Sequence, residues 1–216
     1  MVIMMRLIDK TIADFSGLLA CKTPTPGGGS TAALEAALGI SLITMVAAIT
    51  ADKDGYACRR EELRHIAGEA EGIRRNLLVL VDEDTAAYKG IMTVRSMPKD
   101  TEEQNQTYCE AMQESLKAAV LTPYRILNAA LDGLRLAKEI SAEYYPHTAS
   151  DLGLAVQSMK TAAQGAELTV LINLGSIRDD IFRRQYLSAG RSLLDEAVSI
   201  AEDVYAAIRT GLMNRI

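Results

Sequence analysis

Asp84 closes the run Val81-Asp82-Glu83-Asp84 and falls where an apolar stripe marks the interior. Leu63, Ile66, Ala70, Ile73, Leu77, Leu80, Asp84, Ala87 and Ile91 follow at steps of three and four, the spacing of a helix-packing seam. A carboxylate in that seam loses water, and desolvation raises its pKa. It is then suited to donate or shuttle a proton near neutrality. The same placement also serves a carboxylate that only bonds a neighbouring helix. Asp82 and Glu83 lie off the stripe and are expected in solvent.

The second stretch with chemical potential is Pro24-Thr25-Pro26-Gly27-Gly28-Gly29-Ser30. Glycine loses more backbone entropy on folding than any other residue, so three in a row need a reason. A phosphate loop would place Gly-Lys-Ser/Thr four residues after its first glycine, and no lysine follows here. A dinucleotide fingerprint would follow a strand, and the preceding pattern is helical. Two readings remain: a wall of bare backbone against which a ligand lies at a helix start, or a tight interhelical turn. Ser30 is expected to cap the following helix with its hydroxyl.

Asn173 ends another apolar stripe, Leu152, Val156, Met159, Ala163, Ala166 and Val170. An inward amide there ties a helix end to its neighbour. Ser150-Asp151 reads as a helix cap followed by a first-turn acid. His65 lies beside the long seam and His147 in a loop, and two isolated histidines do not make a metal site. The only serine next to a glycine run is Ser30, so no nucleophile elbow is present. Cys21, Cys58 and Cys109 are odd in number and far apart, which fits a reducing compartment rather than a disulfide framework.

The elements that must position these residues are helical. Proline and glycine punctuate the 216 residues sparsely, and period-two alternation is absent. Helices are expected after a turn at Asp9–Thr11, with Ile8, Ile12, Phe15 and Leu19 at helical spacing, from Ser30 to Thr50, from Arg60 to Ser96, from Thr101 past Pro123 to Glu143, from Ser150 to Gly175, and from Asp179 to Arg209. Thr101 and Gln104 form a capping-box pattern, and Pro123 either kinks its helix or starts a new one. Long helices with short connections predict an all-α chain, a single-domain antiparallel bundle over residues 1–216. Thr31–Thr50 is the most membrane-like stretch, but it carries Glu35 and is built on alanine and glycine, so it reads as a buried core helix. The apolar start before Arg6 is too short for a signal peptide. With net charge −5, 49% hydrophobic and 24% charged residues, and no basic stripe, the chain reads as a soluble domain that binds neither nucleic acid nor membrane.

Pro24–Gly39, then Leu-Val-Asp-Glu-Asp-Thr-Ala-Ala-Tyr (80–88), Ser-Asp-Leu-Gly-Leu-Ala (150–155) and Thr-Val-Leu-Ile-Asn-Leu-Gly-Ser-Ile (169–177) occur in this order. Together they resemble the formimidoyltetrahydrofolate cyclodeaminase and methenyltetrahydrofolate cyclohydrolase family, over nearly the whole chain. Thr169-Val170 stands where many members have Asn-Val, and Gln157 where many carry a basic residue. The resemblance implies an all-helical, cytoplasmic homodimer acting on a tetrahydrofolate derivative as substrate, with no metal and no nucleotide cofactor. It implies Asp84 as the catalytic aspartate, and Pro26, Gly27, Gly28, Gly29, Ser30, Asp151 and Asn173 as substrate-binding residues. It implies ring closure of 5-formimidoyltetrahydrofolate to 5,10-methenyltetrahydrofolate with loss of ammonia. Hydrolysis of the methenyl compound to 10-formyltetrahydrofolate and a non-catalytic assembly role are the alternatives. The anionic glutamate tail of a folate needs local cations, and Lys22 and Arg178 lie near the motifs in sequence.

Overall fold

A computed structural model describes residues 5–216, so the first part of the short apolar start lies outside the described residues. A 3₁₀ turn, Leu7–Asp9, leads into α1 (Ile12–Leu19), α2 (Gly28–Ala51), α3 (Arg60–Arg95), α4 (Glu102–Ser141), α5 (Ala149–Leu174) and α6 (Asp180–Met213). Two further 3₁₀ turns, Asp54–Arg59 and Pro146–Thr148, join α2 to α3 and α4 to α5. The described residues form no strand. The protein is an all-α bundle of long helices.

α2 is the central element. Alanine, glycine and isoleucine cover it nearly all round, and it packs on α3, α4 and α5. By length and composition it could cross a membrane, but half of its most apolar window is buried inside the bundle. Small residues let neighbours close on it. A Cβ on Gly39 would lie 3.1 Å from the Ala155 carbonyl oxygen and 2.9 Å from Met159 Cγ. α6 covers the outer side of α4 and α5.

Short connections make consecutive helices antiparallel, so the bundle has two distinct ends. At one end Arg59 donates to the Glu143 and Glu139 carbonyls, Tyr56 Oη donates to the Tyr144 carbonyl, and the Tyr145 amide donates to Thr50 Oγ1. The other end carries the start of α2 and the end of α5.

Several local expectations change. α2 begins at Gly28 with Gly27 as its cap, so Ser30 lies within the first turn and is not the cap. α5 is preceded by Thr148 rather than Ser150. Ile12 is 91% exposed, and Phe15 alone of α1 is buried. α4 runs through Pro123 as one helix, started by the Thr101–Gln104 capping box. Asp82 is not solvated. Its Oδ1 accepts from the Leu7 amide at 2.6 Å, its Oδ2 is buried without a partner, and Glu83 pairs with Arg125.

Candidate active site

Asp84 is carried on α3 to the start of α2. Its Oδ2 accepts from the Ser30 amide at 2.8 Å and from the Ser30 hydroxyl at 2.8 Å. Ser30 Oγ also lies 3.2 Å from Thr85 Oγ1. The first amides of any helix lack intrahelical partners, and a side chain usually supplies one. Gly27 has no side chain to do so. Asp84 takes that place from a different helix, 54 positions away in sequence.

This pairing explains the glycines. A Cβ on Gly29 would lie 2.0 Å from Asp84 Oδ1 and 2.6 Å from its carboxyl carbon. Only a bare residue lets the carboxylate approach the backbone so closely. Gly28, by contrast, has open space where its Cβ would be. The backbone wall is thus cut by one glycine for the carboxylate, while at the other it faces open space.

A cavity of about 390 Å³ opens beside this pair. Gly27, Gly28 and Gly29 form one wall, Asp84, Tyr88 and Ile91 of α3 a second, and Ala119, Thr169, Ile172 and Asn173 of α4 and α5 the rest. Asp84 Oδ1 accepts no hydrogen bond from the described residues and so stays available to a ligand. Burial pushes the Asp84 carboxyl up from its ordinary value, and the two Ser30 hydrogen bonds pull it partly back. The result is a half-buried acid with one oxygen fixed and one unengaged.

Asn173 has a second duty. Pro123 has no N–H, so it cannot bond the carbonyl four residues before it, that of Ala119. Asn173 Nδ2 donates to that same carbonyl at 2.8 Å. The tie from a helix end to its neighbour read from sequence is present, and its target is the mid-helix carbonyl that proline leaves without a partner. The repair also places Asn173 on the cavity wall.

The expected site residues therefore separate into groups. Gly27, Gly28, Gly29, Asp84 and Asn173 meet at one cavity. Ser30 is buried behind Asp84 and holds it. Pro26 faces a different hollow on the other side of the loop, with Asp82, Thr85 and Lys89. Asp151 sits in the first turn of α5, roughly 33 Å along the helix from Asn173 at about 1.5 Å per residue. Within one chain it does not share the cavity. Tyr88 and Ile172 were not singled out from sequence, and Thr169 was noted only as a departure from the family pattern. Tyr88 had a readable signal, since it lies one helical turn after Asp84.

The geometry has relatives. Residues 11–191 match the family model for formiminotransferase-cyclodeaminase. A methenyltetrahydrofolate cyclohydrolase of Methylorubrum extorquens is 30% identical over 94% of this chain and 97% of its own length. The formimidoyltransferase-cyclodeaminase of Sus scrofa is 30% identical over 88% of this chain, which spans only 35% of that longer protein. The crystal structure of a formiminotetrahydrofolate cyclodeaminase from Thermotoga maritima superposes with a TM-score of 0.80 at 26% identity, over 96% of this chain and 98% of that one. A family match across most of the chain, with the same helical architecture behind it, makes this protein a member of the formiminotransferase-cyclodeaminase family.

Proposed function

We propose that this enzyme of folate one-carbon metabolism closes 5-formimidoyltetrahydrofolate to 5,10-methenyltetrahydrofolate and releases ammonia. The observation that carries the reading is Asp84: a carboxyl raised by burial, with Oδ2 held by Ser30 and Oδ1 unengaged beside a cavity.

In this reaction N10 attacks the carbon of the protonated formimidoyl group. A new C–N10 bond forms and the C=N π pair moves to the departing nitrogen. N10 loses its proton to the Asp84 carboxylate. The protonated Asp84 returns that proton to the amino group, the C–N bond breaks, and ammonia leaves with three hydrogens. The positive charge stays on the methenyl product, and Asp84 ends as it began. A carboxyl with an ordinary pKa would give up its proton too readily to serve in the second half, and the raised value matches that need. Gly28 and its neighbours offer a flat wall for the fused ring. A soluble, cytoplasmic homodimer is part of the same proposal.

The cyclohydrolase is the second reading, favoured by the end-to-end match to the Methylorubrum extorquens enzyme. There Asp84 would take a proton from water as the hydroxyl adds to the methenyl carbon, then return it to N5 as the C–N5 bond breaks, while the hydroxyl loses its own proton to solvent and becomes the formyl carbonyl. Supplying each folate separately and following the methenyl chromophore distinguishes the two. Appearance of the chromophore from the formimidoyl compound supports the deaminase; its decay from the methenyl compound without ammonia supports the hydrolase. If neither folate is turned over, the enzymatic reading fails.

A further inference from the structure

We infer that a second hollow, next to the Asp84 cavity and walled by Arg95 and Arg178, receives the carboxylates of the substrate's glutamate tail. This rests on the folate reading above and assigns the part of the substrate that the Asp84 cavity leaves unplaced.

The two hollows adjoin along α3. Asp84, Tyr88, Ile91 and Arg95 are spaced four, three and four apart, so they share one helix face. Ile91 lines both hollows. The opposite wall continues in the same way, from Thr169 and Asn173 on α5 to Ser176 and Arg178 just beyond its end. From Asp84 to Arg95 the helix rises roughly 16 Å. A folate spans about two helical turns from its reacting carbon, across the aminobenzoyl ring and amide, to its carboxylates. The arginine side chains close the remaining distance.

The second hollow holds about 320 Å³ and is lined by no carboxylate. Neither Arg95 nor Arg178 makes an ion pair or a side-chain hydrogen bond among the described residues. Arg59, Arg74, Arg125 and Arg135 all have acidic partners; Arg209 and Arg215 are likewise without one among the described residues, but line neither of these two hollows. The backbone under Arg178 is held in place. Gln113 of α4 donates through Nε2 to the Ser176 carbonyl at 3.2 Å and accepts from the Arg178 amide at 2.7 Å through Oε1. A fixed backbone presenting an uncommitted guanidinium suits a carboxylate, which arginine can grip with two parallel hydrogen bonds.

The competing hollow behind Pro26 contains Arg6, Lys10 and Lys89, with Arg6 already paired to Asp9, but also Asp82, whose Oδ2 is buried and unpartnered. That oxygen repels an anion. The glycine loop also stands between that hollow and the Asp84 cavity. Lys22 lines none of these hollows.

The test compares Arg95→Ala and Arg178→Ala with wild type on two substrates. One is the folate that wild type turns over; the other is the same compound truncated to its pteroate, without glutamate. Both side chains are exposed, so melting temperatures are expected to match wild type. Each variant is expected to raise KM for the full folate about tenfold, the worth of one charged hydrogen-bonding partner. On the pteroate the variants and wild type are expected to behave alike. Wild-type KM for the full folate in both variants, or an equal loss on both substrates, would overturn the tail subsite while leaving the folate reading intact. Failure of wild type itself on every folate would overturn both.

Discussion

At Asp84 burial and hydrogen bonding pull in opposite directions, and burial prevails. The sign of this balance sets a prediction. A carboxyl whose pKa is raised on folding contributes stability that is complete below its unfolded value, near 3.9, and is lost as pH rises through the folded value. At neutral pH the ionised Asp84 therefore costs stability. Asp84→Asn should melt at or above the wild-type temperature at pH 7, while turnover falls about 10²–10⁴-fold. Calorimetry and the methenyl assay on one preparation check both halves; wild-type turnover in the variant would remove Asp84 from the chemistry. The wild-type acid limb of kcat/KM should also lie above the pH at which a free aspartate titrates. Among the glycines the expected effects diverge. Gly29→Ala displaces the carboxylate, and a shift of about 1 Å costs on the order of 10²-fold in rate. Gly28→Ala should leave melting unchanged or slightly raised, because alanine favours the helix and meets nothing. Equal damage from both would mean that the loop matters only as a turn. Asp84 could be found from sequence because its seam is local and periodic. Its partner could not: Ser30 before an apolar run has the pattern of a cap, and nothing local reveals that the cap is supplied from α3.

At the scale of elements, α4 is continuous because α5 repairs it. Removing the Asn173 amide should leave the Ala119 carbonyl unsatisfied, at a cost of about 1–3 kcal/mol. In a Pro123→Ala background the restored amide can bond that carbonyl, and the cost of Asn173→Ala should shrink. A denaturant double-mutant cycle measures this coupling, and additive effects would refute the repair. Sequence left two outcomes at Pro123, a kink or a new helix, because the deciding residue lies about fifty positions downstream. The Thr101–Gln104 box was readable because both partners lie within one turn. At the α2–α5 crossing, Gly39→Ala should destabilise by about 1–3 kcal/mol despite alanine's better helix propensity, since the Ala155 backbone cannot move aside as a side-chain tip would. A melting temperature at or above wild type would show that this crossing has slack.

At the scale of the molecule, the bundle separates its duties by end. One end is fastened, where Tyr56 and Arg59 donate to loop carbonyls and Thr50 accepts from the Tyr145 amide, and the cavities of the candidate site occupy the other. Asp151 belongs to the fastened end. Its place in the matching motifs was legible, but its distance from Asn173 was not, because motif order along a chain says nothing about which end of a helix each motif occupies. Helix class followed from period and punctuation, which are local properties; the count stayed open by one helix at Pro123. Leu168, Ile172 and Ile181 expose 65%, 76% and 76% of their surfaces beside the cavity end, an apolar area that suits a second copy. Sedimentation equilibrium should give twice 23.4 kDa, and Leu168→Lys should shift the mass toward a single chain. A wild-type monomer would overturn the homodimer.

The cross-helix cap on α2 gives the molecule a built-in indicator. The Ser30 amide proton points at the carboxylate proposed to carry the catalytic proton, and it belongs to the helix on which α3, α4 and α5 all pack. Its amide resonance should move with pH along the titration curve of Asp84 itself. The ionisation of one acid could then be followed without substrate and without turnover, from a nucleus that takes no part in the reaction.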